Sequence, residues 1–179
     1  PCCGSGTIAI EAAMLARNIA PGINRKFLIE EWGVIPQEIW KEERKKAYEA
    51  IKDANFVIKA YDIDAACVEA ATENAMQAGV DEDIEFIQKD IRNLRLEGEQ
   101  GIVIANPPYG SRIGDQKVIT EFNRGLAKIA KDNPTWSFFI ITADKDMEKA
   151  VFKRQANRRR KLYNGDIEVC YYQFHGEKK

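Results

Sequence analysis

Asn106, Pro107, Pro108 and Tyr109 are the residues of this 179-residue chain whose types and spacing could most directly do chemistry. They follow "GIVIA" (101–105), a run that reads as a buried strand. Proline fixes φ and removes a backbone donor. The proline after Asn106 also pushes that residue toward an extended conformation. The segment is therefore suited to hold two carbonyl oxygens and an aromatic ring in fixed positions where a strand leaves its sheet.

Other strand ends carry polar groups too. "PCCGSGTIA" (1–9) places Gly4, Gly6 and Ala9 in a G-x-G-x-x-A pattern ahead of a helix. Glycines there let the backbone approach a ligand, and the helix N-terminus offers free N–H groups; a tight packing turn would leave the same pattern. "NFVIKAYDID" (55–64) begins as a strand and ends in acids. Asp62 stands where the second strand of a doubly wound sheet ends, and a carboxylate there can accept hydrogen bonds from both ribose hydroxyls. Asp64, just ahead of "AACVEAA", suits a helix N-cap. A dinucleotide fold would place its ribose-binding acid about 20 residues beyond the glycine-rich turn. The long helical insertion before Asp62 breaks that spacing. Asp90 closes a third strand, "IEFIQKD" (84–90), where it could read the rim of an adenine or serve as a cap. Open α/β sheets bind ligands outside the carboxyl ends of their strands.

The elements that must position these residues alternate between helical and extended periods, the pattern of an α/β fold. A helix is expected over 6–20, with Ile8, Ala12, Leu15 and Ile19 on one face, then an irregular, aromatic-rich segment over 21–35. A second helix runs from Pro36 to about Asp53, with Ile35, Ile39, Ala47 and Ile51 as its apolar stripe. Further helices are expected over 65–79, closed by Gly79, and over 116–131, with a short one near 144–151. "TWSFFIIT" (135–142) reads as a buried strand, which assigns Trp136, Phe138 and Phe139 to the core. Residues 158–175 form a hairpin turning at Asn164-Gly165. The expected architecture is Rossmann-like and doubly wound, a mostly parallel sheet with a C-terminal antiparallel hairpin. Helix 6–20 has no strand before it, although the strand feeding such a turn is central to the sheet. A single domain over 1–179 that lacks its first strand, part of a longer protein, is the expectation.

Bulk properties narrow the function. Hydrophobic residues make up 45% and charged residues 31% of the chain, an ordinary globular composition. No apolar run is long enough to cross a bilayer, and no signal peptide is visible; the expected location is the cytoplasm. The formal net charge is −1. A protein gripping nucleic acid mainly by phosphates would be more basic, so a local patch or another domain must supply any such grip. The best candidate patch is 153–161, with Lys153, Arg154, Arg158, Arg159, Arg160 and Lys161. A charged edge that discourages sheet-to-sheet pairing would look the same. The four cysteines form no C-x-x-C pair and His175 stands alone, so no metal is expected. Cys2 and Cys3 could form a vicinal disulfide; two reduced side chains under a loop are the simpler reading.

With Gly4 and Gly6, Asp62, Asp90 and "NPPY" in this order, the chain resembles the class I S-adenosylmethionine-dependent methyltransferases of the amino-methylating branch. In that branch a [D/N/S]-P-P-[Y/F] tetrapeptide follows the fourth strand. "PCCGSGTIAIEAA", "YDID" and "NPPYG" together look like the bacterial 23S rRNA guanine-N2 methyltransferases and their relatives, which are often labelled N6-adenine-specific DNA methylases. Those proteins carry an RNA-binding THUMP domain ahead of the catalytic domain, and usually an Asp just before the position of Pro1.

The resemblance implies S-adenosyl-L-methionine as cofactor, lined by Pro1, Cys2, Gly4, Gly6, Asp62, Ile63, Asp90 and Asn106. It implies RNA as partner, 23S rRNA first. Asn106 and Pro107 would accept the two N–H bonds of an exocyclic purine amine, Pro108 would stiffen the turn, and Tyr109 would stack on the base. Arg112 could meet a phosphate or the base, and Arg158, Arg159 and Arg160 the RNA backbone; a solvated loop explains Arg112 equally. Adenine N6 in DNA or RNA, and a protein glutamine amide, present the same kind of nitrogen to the tetrapeptide. A non-catalytic nucleotide-binding module is a further alternative, against which the intact Asn106 and prolines argue.

Overall fold

Among the described residues, six strands and four longer helices follow one another in the α/β order expected from the sequence. The computed structural model describes residues 1–53, 55–109 and 115–177. The strands are β1 (Ile58–Asp62), β2 (Ile84–Gln88), β3 (Ile102–Ala105), β4 (Ser137–Thr142), β5 (Arg158–Asn164) and β6 (Ile167–Phe174). The helices are α1 (Thr7–Ala16), α2 (Gln37–Glu49), α3 (Ala65–Ala78) and α4 (Asp115–Asp132). Strands β1 and β2 pair with each other. The other four form a sheet in the order β3-β4-β6-β5, parallel between β3 and β4 and antiparallel elsewhere. Among the described residues, no helix is long and apolar enough to cross a membrane.

The chain divides into two compact units. The first comprises Pro1–Cys3, Tyr61–Ala65 and the chain from Ile87 onward. Its core lies on one face of the four-stranded sheet, where α4 and a π-helical segment, Met147–Phe152, cover Val103, Phe138, Ile140 and Phe174. Each large apolar side chain buried there contributes about 1.5–3 kcal/mol. Alternation does the sorting: β4 reads half-buried, buried, half-buried along its length, while β3 alternates exposed Ile102 and Ile104 with buried Val103 and Ala105. Trp136 packs against this core, and a Cβ at Gly101 would lie 2.4 Å from its ring, so that close approach requires glycine.

The second unit comprises Gly4–Ala60 and Ala66–Phe86. Helix α1 stops four residues earlier than its apolar period suggests. Asn18 takes a left-handed φ of 56°, and the Ile19 N–H turns back to the Met14 carbonyl, a common helix stop. The inward face of α2 also differs from the expected stripe. Ile39 is exposed, whereas Trp40, Arg44 and Ala47 are half-buried. Arg44 donates to the carbonyls of Ile23 and Arg25 and pairs with Glu30. A guanidinium thus lies on the inward face between Trp40 and Ala47, where the expected stripe named no residue, and ties down the carbonyls of a neighbouring loop.

The C-terminal hairpin turns one residue later than expected. Asn164 pairs with Ile167, which leaves Gly165 and Asp166 as the turn. Gly165 has φ +59° and Asp166 is not left-handed, the pattern of a type II′ turn with glycine first.

Candidate functional site

The first unit brings three of the singled-out segments together by hydrogen bonds. The Cys3 N–H donates to the Tyr61 carbonyl at 2.8 Å, and the Lys89 N–H to the Asp62 carbonyl at 2.7 Å. The Gln88 side-chain amide donates to the Ile63 carbonyl at 3.1 Å. Strand ends 61–63 and 88–90 are thereby stitched to each other and to the start of the chain. Gln88 and Lys89 carry no pattern that sequence reasoning could have weighed; their role follows from strand pairing.

Asp62 closes β1 and is 9% exposed. Its Oδ1 accepts from the Asp64 N–H at 3.0 Å, an Asx-type turn that leads into α3. Ile63, next to it, is 63% exposed, a large apolar side chain in solvent beside a buried carboxylate. Asp90 has a different environment. Its carboxylate accepts from the Arg92 N–H at 2.8 Å and from the Arg92 guanidinium, which also reaches Glu121 at 3.2 Å. The Arg92 side chain holds the Asp90 carboxyl below the usual carboxylate range. Asp90 therefore caps the turn Ile91–Asn93 through its own near neighbour. The D-x-R spacing was the available signal for that pairing.

Asn106 leaves β3 exposed, Pro107 is buried behind it, Pro108 is exposed and Tyr109 is half-buried. The Tyr109 hydroxyl donates to Asn106 Oδ1 at 2.5 Å, a contact the sequence did not suggest. Cys2 packs against the same core. Burial pushes its thiol up to about 11, and the negative charge of Asp62 adds to the rise, while the Asn106 N–H, a donor to the sulfur, opposes it. Cys2 thus senses both Asp62 and Asn106. It stays a neutral, packed thiol at ordinary pH, and none of the four cysteines is in a disulfide. Pro1 is half-buried beside it in the chain. Arg112 lies outside the described residues.

The two glycines of the N-terminal turn, which belong to the second unit, do different work. Gly6 has φ +84° and precedes α1. A Cβ there would sit 3.0 Å from Ala71 Cβ and 3.1 Å from the Phe86 ring, so its task is close packing. Gly4 has φ +54°, and a Cβ on it would meet nothing within 4 Å. The space that a side chain would take there is empty. In the basic run, Arg159 pairs with Glu148 at 3.1 Å and Lys161 with Glu168 at 2.6 Å. Arg158 and Arg160 are exposed and have no carboxylate partner among the described residues. No group of His, Cys, Asp and Glu among the described residues could hold a metal ion.

This mixed α/β arrangement of parallel and antiparallel strands matches Rossmann-like methyltransferase folds. The solved structure of SMU.472, complexed with SAH, superimposes on this chain with a TM-score of 0.92 at 38% identity, covering 100% of this chain and 48% of that one. Residues 1–173 match the RMKL-like methyltransferase domain, and the chain belongs to that family. YpsC of Bacillus subtilis (strain 168), provisionally named an RNA methyltransferase, is 40% identical over 97% of this chain and 45% of its own length. Ribosomal RNA large subunit methyltransferase K/L of Shewanella sediminis (strain HAW-EB3) is 36% identical over 99% of this chain and 26% of its own. The chain spans less than half the length of these relatives.

Proposed function

We propose that this domain methylates an exocyclic amine of a purine in RNA, with guanine N2 of 23S rRNA as the target, using S-adenosylmethionine. The observation that carries the reading is the Asn106–Tyr109 turn: an exposed amide, a buried proline behind it and a half-buried ring, fixed at the carboxyl end of β3. Family membership and the names of the relatives support RNA over other carriers of an amine. The residues present fit the cofactor. Asp62 offers a carboxylate at a strand end, suited to ribose hydroxyls, beside exposed Ile63, suited to an apolar ring face. The cofactor, when bound, supplies a methyl group on an electrophilic sulfonium.

The chain's own residues do the orienting. An exocyclic amine is a poor nucleophile because its lone pair conjugates with the ring. Asn106 Oδ1 and the Pro107 carbonyl accept its two N–H bonds and draw the lone pair out of conjugation with the ring. A carbonyl oxygen has two lone pairs, so Asn106 Oδ1 keeps the Tyr109 hydroxyl and accepts one N–H besides. The Tyr109 ring stacks on a base that has left its helix, a contact worth about 1–3 kcal/mol. Orientation of this kind supplies several kcal/mol of a barrier without a strong base. The full protein is read as adding upstream chain to this domain, including a further strand and an RNA-binding domain; β3, at the edge of its sheet with Ile102 64% exposed, is where we expect added packing. Such a reaction belongs to the cytoplasm, where ribosomal RNA is. The test is mass spectrometry of ribosomal RNA nucleosides from a strain that lacks the gene. Loss of one N2-methylguanosine, restored by the wild-type gene and not by Asn106→Ala, is expected. An unchanged nucleoside profile overturns the target, and loss of an N6-methyladenosine instead would favour the adenine alternative.

A further inference from the structure

Strand β5 is an edge strand in which all seven residues, Arg158–Asn164, are exposed. Four of them are cations in a row, Arg158–Lys161. A strand sends successive side chains to opposite faces, so the run splits into two pairs. Arg159 and Lys161 lie opposite Tyr172 and Cys170 of β6, on the face that carries Glu148 and Glu168. There two carboxylates meet two cations and the charge is cancelled. Arg158 and Arg160 lie opposite Gln173 and Tyr171, on the other face, and neither has a carboxylate partner among the described residues.

We infer that the Arg158/Arg160 face alone is an RNA backbone contact, and that Arg159 and Lys161 hold the hairpin. The inference rests on the proposal that RNA is the substrate. Charge complementarity selects the occupant: two unpaired guanidiniums on one flat face, their Cα atoms about 7 Å apart along the strand, in a chain of net charge −1. A guanidinium presents a planar fork of donors that matches a phosphate. A cation already paired with a carboxylate has little left to release in counterion exchange. Gln173, next to Arg158 across the ladder, adds an uncharged side chain that can bond a sugar or phosphate oxygen.

The test compares two double variants of equal charge in the full-length protein, Arg158→Ala/Arg160→Ala and Arg159→Ala/Lys161→Ala. Binding to unmodified, transcribed 23S ribosomal RNA is measured across about 0.05–0.2 M salt. The first variant should flatten the slope of log affinity against log salt by about 1.4–1.8, at about 0.7–0.9 for each lost phosphate. It should lose about tenfold or more in affinity at the low-salt end. The second should keep the wild-type slope. Equal flattening by both pairs, or none by the first, overturns the assignment. Methyl incorporation is followed in the same preparations. Wild-type protein that binds with the expected slope difference but transfers no methyl would sink the proposed activity and leave the RNA face standing. Active protein whose slope ignores Arg158 and Arg160 would do the reverse.

Discussion

The ends of β1 and β3 carry the two side chains on which the proposed chemistry turns, and they are held in opposite ways. Asp62 is buried, and its carboxylate is anchored by the N–H of Asp64, two residues on. Asn106 is exposed, and its side chain is anchored by the hydroxyl of Tyr109, while the neighbouring Pro107 supplies the burial. The first is a self-contained turn that nearly any strand-to-helix junction could make. The second depends on a proline packed into a core assembled from distant segments. Cys2 sits between them, under the field of one and bonded by the backbone of the other. Under the proposed activity, the ligand holder is built locally, whereas the orienter of the amine rests on a buried proline.

The largest effect should come from breaking the β3 end. Asn106→Ala should lower kcat by about 100-fold or more, as misplacement of a reacting group does, with cofactor affinity unchanged in calorimetry. Near-normal turnover would show that the amide orients nothing. The β1 end comes next. Asp62→Ala should weaken S-adenosylmethionine binding by about 10–100-fold, the worth of hydrogen bonds to a charged group of about 1.5–3 kcal/mol. It should also cost about 1 kcal/mol of stability through the lost turn. Asp62→Asn keeps an acceptor for the Asp64 N–H, so it should restore the melting temperature and leave most of the affinity loss. Equal recovery of both would assign Asp62 to the turn alone.

Tyr109→Phe keeps the ring and removes the hydroxyl. A neutral hydrogen bond is worth about 0.5–1.5 kcal/mol, so kcat should fall about 2–10-fold while KM for RNA stays put; a rise in KM with constant kcat would place the hydroxyl on the substrate instead. The smallest effect concerns Cys2, whose folded value of about 11 lies above the ordinary thiol value of 9.0. Between these pH values the folded chain holds more protons than the unfolded one, so stability falls as pH rises. Cys2→Ala should remove that contribution, and its melting temperature should decline less between about pH 9 and 11 than that of wild type. Parallel declines would mean that Cys2 is not buried between the two strand ends.

Much of the fold was legible in the sequence because its signals are short-ranged. The strand before Asn106, the buried strand around Phe138 and the hairpin all stand where their periods placed them. Errors arose where one residue outweighed a pattern. Asn18 stopped α1 by entering the left-handed region, and Gly165 drew the hairpin turn one position along. Arg44 occupied the inward face of α2 because loop carbonyls and Glu30 needed a donor there, which a hydrophobic period cannot express. At the candidate site the motif was readable, but the partner of Asn106, Tyr109, was not, and that of Asp90, Arg92, was signalled only by a D-x-R spacing.

The sequence by itself determined the order of elements, the rigid Asn-Pro-Pro-Tyr turn at a strand end and the alternation that divides Arg158–Lys161 between two faces. These follow from backbone preferences and side-chain periods that span a few residues. Only the tertiary structure decided which of those cations are neutralised, that Cys2 is shielded from ionisation, and that Gly6 packs while Gly4 lies open. Neutralisation, desolvation and close approach depend on groups brought near from elsewhere in the chain, and no local pattern records which groups those will be.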